Sequence, residues 1–117
     1  MFLDALELVF SELKDAFVYI KGRGVVDGYY KQVKDKITKM RKRGRVKIHI
    51  GWMPHNKLPL LYRASDVFVR TSKYENFGLA AIESMACATP VVAPNHATFP
   101  EILGRGDTLF NPGSLMI

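Results

Sequence analysis

Glu75 and Glu83 are separated by seven residues, and a glycine, Gly78, stands between them. Glu75 lies in the run Thr71-Ser72-Lys73-Tyr74-Glu75-Asn76-Phe77-Gly78, and the apolar-periodic run Leu79-Ala80-Ala81-Ile82-Glu83 follows. A glycine that opens a helix just after a strand leaves backbone N–H groups and the positive end of the helix dipole facing the loop, a natural seat for a phosphate. Two carboxylates beside such a seat do not bind phosphate. They suit hydroxyls, because an ionised carboxylate accepts two hydrogen bonds from a vicinal diol. A ligand carrying diphosphate, ribose and sugar meets all of these demands. The same spacing also admits a plainer role, with Glu75 a charge at a helix N-terminus and Glu83 a solvated helix residue.

Other reactive side chains form weaker patterns. Lys21-Gly22-Arg23-Gly24 follows a strand-like run, but the third glycine falls at Gly28, too late for G-x-G-x-x-G. No acid stands at the end of the next strand, where His49-Ile50-Gly51 is found, so a dinucleotide site is not expected. His49, His55 and His96 lack metal-ligand spacing. Cys87, in Met85-Ala86-Cys87-Ala88, has no basic neighbour and reads as a small core residue. A single cysteine also excludes an internal disulfide and a Cys-based zinc site, which fits a cytoplasmic setting.

The elements that must position these groups alternate in period. Leu3, Leu6, Phe10 and Leu13 mark a first helix, and residues 16–20 a strand. A helix follows from Gly28 to Arg43, with Asp27 as N-cap, Tyr30, Val33, Ile37 and Met40 as its apolar stripe, and Gly44 just past its end. Val46 to Ile50 is a strand. Asn56 can cap a short helix with Pro59 in its first turn and Leu58, Leu61 and Tyr62 inward. Residues 67–69 form a strand, Gly78 to Ala86 a helix with Leu79, Ile82 and Met85 or Ala86 buried, and Pro90 to Ala93 a strand. A helical turn at 100–103 and a strand at 108–110 complete the pattern. Strands alternating with helices through short loops imply one domain over residues 1–117, a parallel sheet covered on both faces. Ligands then bind at the carboxyl ends of the strands, in loops 21–28, 51–56, 71–78 and 94–99. His55 and His96 fall in these loops.

Composition agrees with a globular chain: 48% hydrophobic and 24% charged residues over 117 positions. No stretch approaches the roughly 20 apolar residues of a membrane span. Asp4, Glu7 and Glu12 interrupt what would be the apolar region of a signal peptide. The net charge of +6 is concentrated at Lys31, Lys34, Lys36, Lys39, Arg41, Lys42, Arg43, Arg45 and Lys47, against Asp35 alone. This reads as a solvated helix face or a surface for anionic lipid headgroups. With no aromatic residues interleaved, a nucleic-acid partner is not expected.

Residues 60–103 resemble the retaining GT-B glycosyltransferases often called family 4. Members share Leu-Tyr-x-x-x-Asp-x-Phe-Val, Glu-Gly-Phe-Gly-Leu, Met-Ala-x-Gly-x-Pro-Val-Val-Ala and Pro-Glu. This chain has Leu61-Tyr62, Asp66-Val67-Phe68-Val69, Glu75-Asn76-Phe77-Gly78-Leu79, Met85-Ala86-Cys87-Ala88-Thr89-Pro90-Val91-Val92-Ala93 and Pro100-Glu101. The resemblance implies an α/β fold, a three-layer doubly wound parallel sheet forming the Rossmann-like half of GT-B. It implies that the chain is the donor-binding part of a two-domain enzyme that moves a sugar from a nucleotide sugar to an acceptor. Glu83 would hold the ribose hydroxyls and Glu75, the catalytic position, would sit against the donor sugar. Backbone N–H groups of Phe77, Gly78 and Leu79 would meet sugar and diphosphate. Gly51, Trp52 and Met53 would lie against the base, with His96 among the donor-binding residues. No metal or other cofactor is implied, since basic side chains and helix-end N–H groups stabilise the leaving diphosphate.

Three departures bear on the site. Asn76 and Ala88 each stand where members carry glycine, and Asn95-His96-Ala97-Thr98 replaces a glycine pair. The family's first strand, with its Arg/Lys loop, and the acceptor-binding domain would precede residue 1. Without that strand the order becomes 2-1-3-4-5, flavodoxin-like, and residues 16–20 are expected to pair with 67–69 or to leave an edge that another chain fills. Such an edge supports the competing reading, a non-catalytic remnant that assembles with itself or another protein.

Overall fold

The repeat Leu6, Phe10 builds helix α1 (Phe2–Glu12), and Ile37 and Met40 mark the buried side of helix α2 (Gly28–Arg41). These four residues and Val46 form one core, against which Leu3, Ala16, Val18, Ile20 and Val33 pack. Between and after the helices run strands β1 (Val18–Gly22) and β2 (Val46–Ile50), parallel and in register from Val18 opposite Val46 to Gly22 opposite Ile50. This computed structural model describes residues 2–22, 28–41, 45–71, 77–96, 98–104 and 109–111. It divides the chain into two compact units, Met1–Trp52 and Met53–Ile117.

Two boundaries in the first unit differ from the sequence expectation. β1 begins two residues late and runs through Lys21-Gly22, because the ladder is set by Val18 N–H on the Arg45 carbonyl at one end and Gly51 N–H on the Gly22 carbonyl at the other, both 2.9 Å. Leu13 lies past the end of α1 and is 60% exposed. Its carbonyl, and those of Phe10 (3.2 Å) and Ala16 (2.9 Å), accept from the Arg45 guanidinium, which also lies 4.3 Å from the Phe10 ring centroid. α1 has no basic residue in its last turn, so a distant arginine supplies the cation that its carbonyl end favours. The proposed caps Asp27 and Gly44 lie outside the described residues.

In the second unit, a 3₁₀ turn (His55–Lys57) leads into helix α3 (Leu58–Ala64). Asn56 sits inside that turn and does not cap the helix, whose N-cap position is Lys57 with no side-chain bond. Strand β3 (Phe68–Val69), helix α4 (Leu79–Ala86), strand β4 (Val91–Pro94), helix α5 (Phe99–Leu103) and strand β5 (Leu109–Phe110) follow. The strands form a parallel sheet in the order β3-β4-β5. Its core is Ala81, Val91, Ala93 and Phe99, with Phe68, Leu103 and Leu109 packed against it. The fold is α/β with parallel sheets and helices. The pairing of residues 16–20 with 67–69 appears in neither sheet. β3 is only two residues long; the Phe68 N–H goes to the carbonyl of Pro90, just before β4, and the N–H of Arg70, just past β3, to that of Val92.

α4 buries a different face from the one its large residues suggested. Ala81 and Ser84 are inside, while Leu79 and Met85 are 57% and 44% exposed. The inward face carries small side chains because it has a polar task at short range: Ser84 Oγ donates to the Thr89 carbonyl at 3.1 Å, and Thr89 Oγ1 donates to the Tyr62 carbonyl at 2.5 Å. Both buried hydroxyls are thereby paired, as buried polar groups must be.

Candidate functional site

Gly78 is the N-cap of α4 at φ 73°, a left-handed conformation that glycine adopts without penalty. A side chain there would also meet Ile102 Cδ1 at 3.0 Å and Phe99 Cε1 at 3.4 Å, so the start of α4 sits directly on α5. Phe77 is 64% exposed, Gly78 is buried and Leu79 is exposed. No described residue accepts the N–H of Gly78 or Leu79, which is how an anion-binding helix start is left.

Glu83 lies about 7 Å further along α4, given a rise of about 1.5 Å per residue. Its side chain is 24% exposed. The Tyr62 hydroxyl donates to Glu83 Oε2 at 3.2 Å, and His55 Nε2 stands 3.8 Å from Oε1. Glu83, Tyr62 and His55 line one cleft with Leu58, Pro59, Ala86 and Cys87, about 170 Å³ in volume. That is small beside the ~300–1,000 Å³ of a pocket enclosing a whole small-molecule ligand, and it offers room for one part of a larger molecule. Cys87, expected in the core, is half-buried and faces this cleft.

Tyr62 is itself 8% exposed. Its ring meets Phe68 edge-on at 5.5 Å, and its carbonyl accepts from Ser65 N–H at 3.1 Å as well as from Thr89. Burial first, and then the charge and hydrogen bond of Glu83, push the phenol from its ordinary 10.0 up to about 12, against an opposite pull from Arg70. The hydroxyl therefore stays a donor throughout neutral pH. Sequence reasoning placed Tyr62 inward but gave it no part in the site. The signal was present in the motif pair Leu61-Tyr62, whose apolar spacing concealed its polar tip.

The remaining expected residues divide into three groups. Glu75 and Asn76 lie outside the described residues. Gly51 (φ 115°) and Trp52 close the first unit, where the Trp52 carbonyl lies 3.2 Å from His49 Nε2 and the indole is 80% exposed. Met53 and His96 belong to the second unit and are half-buried, the His96 ring 6.3 Å from that of Phe99. Among the described residues no group of three His, Cys, Asp or Glu side chains gathers as a metal site, and no helix is long and apolar enough to cross a membrane.

Known proteins share this arrangement of sequence. The chain is 39% identical to O-antigen chain mannosyltransferase B of Escherichia coli over 57% of its length, and 31% identical to sulfoquinovosyl transferase SQD2 of Arabidopsis thaliana over 97%. It is 30% identical to the lipopolysaccharide core biosynthesis mannosyltransferase LpsB of Rhizobium meliloti over 91%. The matched parts are 18%, 22% and 30% of those proteins, so the chain spans less than a third of each. The family model for glycosyl transferases group 1 matches residues 1–115, and the chain belongs to that family.

Proposed function

We propose that the chain is the donor-binding part of a two-domain retaining glycosyltransferase, moving a sugar from a nucleotide sugar to an acceptor held by another domain. The observation that carries this reading is the Glu83 carboxylate, held in a cleft on the helix that Gly78 opens. In this reading Glu83 accepts the two ribose hydroxyls, and the N–H groups of Phe77, Gly78 and Leu79 face the diphosphate. The positive end of α4 then stabilises the charge that develops on the leaving diphosphate, without a bound metal. Glu75 sits against the donor sugar, residues 51–53 against the base, and His96 beside the donor. Isothermal calorimetry with UDP-, GDP- and ADP-sugars tests the assignment. Weak binding of at least one, abolished by Glu83→Ala, is expected. A folded sample that gives no heat with any of them overturns it.

A second reading concerns where the chain works. Lys31, Lys34 and Lys39 stand exposed on α2, while Lys36 is ion-paired with Asp4 at 3.1 Å; the exposed lysines suit the anionic headgroups of a membrane surface.

A further inference from the structure

Glu83 has two carboxylate oxygens, and the structure treats them differently. Oε2 is taken by the Tyr62 hydroxyl at 3.2 Å. Oε1 is hydrogen-bonded by no described residue, and His55 Nε2 lies 3.8 Å away on an imidazole that is 81% exposed. That distance is beyond a hydrogen bond. A free glutamate side chain rotates among several staggered positions, and a diol needs one of them.

We propose that Tyr62 is the positioning residue of the diol site: its hydroxyl pins Glu83 Oε2 and so holds Oε1 toward the cleft, ready for the ribose hydroxyls. Tyr62 is suited to this because it is fixed from three sides. Its ring rests edge-on against Phe68, and its carbonyl receives both Ser65 N–H and Thr89 Oγ1. The Thr89 hydroxyl closes a circuit, since the Thr89 carbonyl accepts from Ser84, the residue next to Glu83 on α4. α3 and α4 are thus joined by hydrogen bonds that set the phenol and the carboxylate at a fixed separation. Preorganisation of this kind spares a ligand the cost of ordering the side chain when it binds.

The inference rests on the diol role of Glu83 proposed above, and the test separates the two. Nucleoside diphosphates of the base that binds best are compared with their 2′,3′-dideoxy counterparts by calorimetry, on the 117-residue chain. The wild type is expected to favour the ribose form by about tenfold or more, the worth of a hydrogen bond to a charged group. Glu83→Gln should remove most of that preference. Tyr62→Phe, which keeps the ring on Phe68, should cut it by about threefold or more while leaving dideoxy affinity unchanged. If Tyr62→Phe melts below the assay temperature, Tyr62→4-methylphenylalanine fills the lost volume without a donor and carries the same readout. An undiminished preference in the tyrosine variant, with Glu83→Gln losing it, overturns the positioning role and leaves the diol reading standing. Equal weakening of both ligands by Tyr62→Phe also overturns it, since that marks a purely structural residue. A wild type or Glu83→Gln protein whose preference shows no dependence on the carboxylate removes the diol reading, and the inference with it.

Discussion

The helix that carries Glu83 ends in a left-handed residue, and that residue is an alanine. Ala88 has φ 61°, with its N–H on the Met85 carbonyl and the Thr89 N–H on the Ser84 carbonyl, at 2.9 and 3.0 Å. These two bonds are the paired closure in which the left-handed position is usually glycine, because a β-carbon there crowds the following carbonyl. Ala88 therefore carries a backbone strain that a glycine would not, and the turn forms nonetheless. Ala88→Gly should raise stability by about 1 kcal/mol, read as a higher urea midpoint at unchanged slope. Tyr62 yields a second expectation. Between its ordinary 10.0 and about 12 the unfolded phenol has lost its proton while the folded one retains it. The folded state binds more protons in that window, so this stabilising contribution is complete below pH 10 and is lost as pH rises through about 12. Melting temperatures of the wild type should fall more steeply over that range than those of Tyr62→Phe, and a phenolate absorbance step near pH 12 should vanish in the variant.

At the scale of elements, two long-range hydrogen-bonding side chains do what local sequence does not. Arg45 reaches back to three carbonyls around the end of α1 and stacks on Phe10. Replacing it with methionine keeps much of the stem and removes the donors. Arg45→Met should cost about 1.5–3 kcal/mol in a urea titration, as loss of bonds from a charged donor to part-buried carbonyls does. In the sequence Arg45 was one more residue of a basic run, because nothing local pairs it with residues 10–16. Thr89 plays the corresponding part between α3 and α4. The face of α4 was misjudged for a related reason. Size alone pointed Leu79 and Met85 inward, whereas the residues buried are Ala81 and Ser84, whose hydroxyl has its partner five residues on.

For the whole molecule, charge and chain span matter most. The chain carries a net charge of +6, and the exposed lysines of α2 interact through a field that salt screens. Vesicles containing anionic lipid should retain the chain at low ionic strength and release it at high. Lys34→Glu combined with Lys39→Glu should abolish retention, while Glu83→Ala should leave it unchanged. Sedimentation with vesicles checks both. Sequence by itself determined the alternation of helices and strands, the apolar stripes of α1 and α2, the glycine that opens α4 and the motif order that names the family. These follow from periodicity and from backbone demands that only certain residues meet. Only the tertiary structure decided that Tyr62 donates to Glu83, that Arg45 closes α1, and that β4 lies between β3 and β5. Each depends on groups far apart in the chain, or on which edge of a strand a neighbour occupies, and no local pattern encodes such distances.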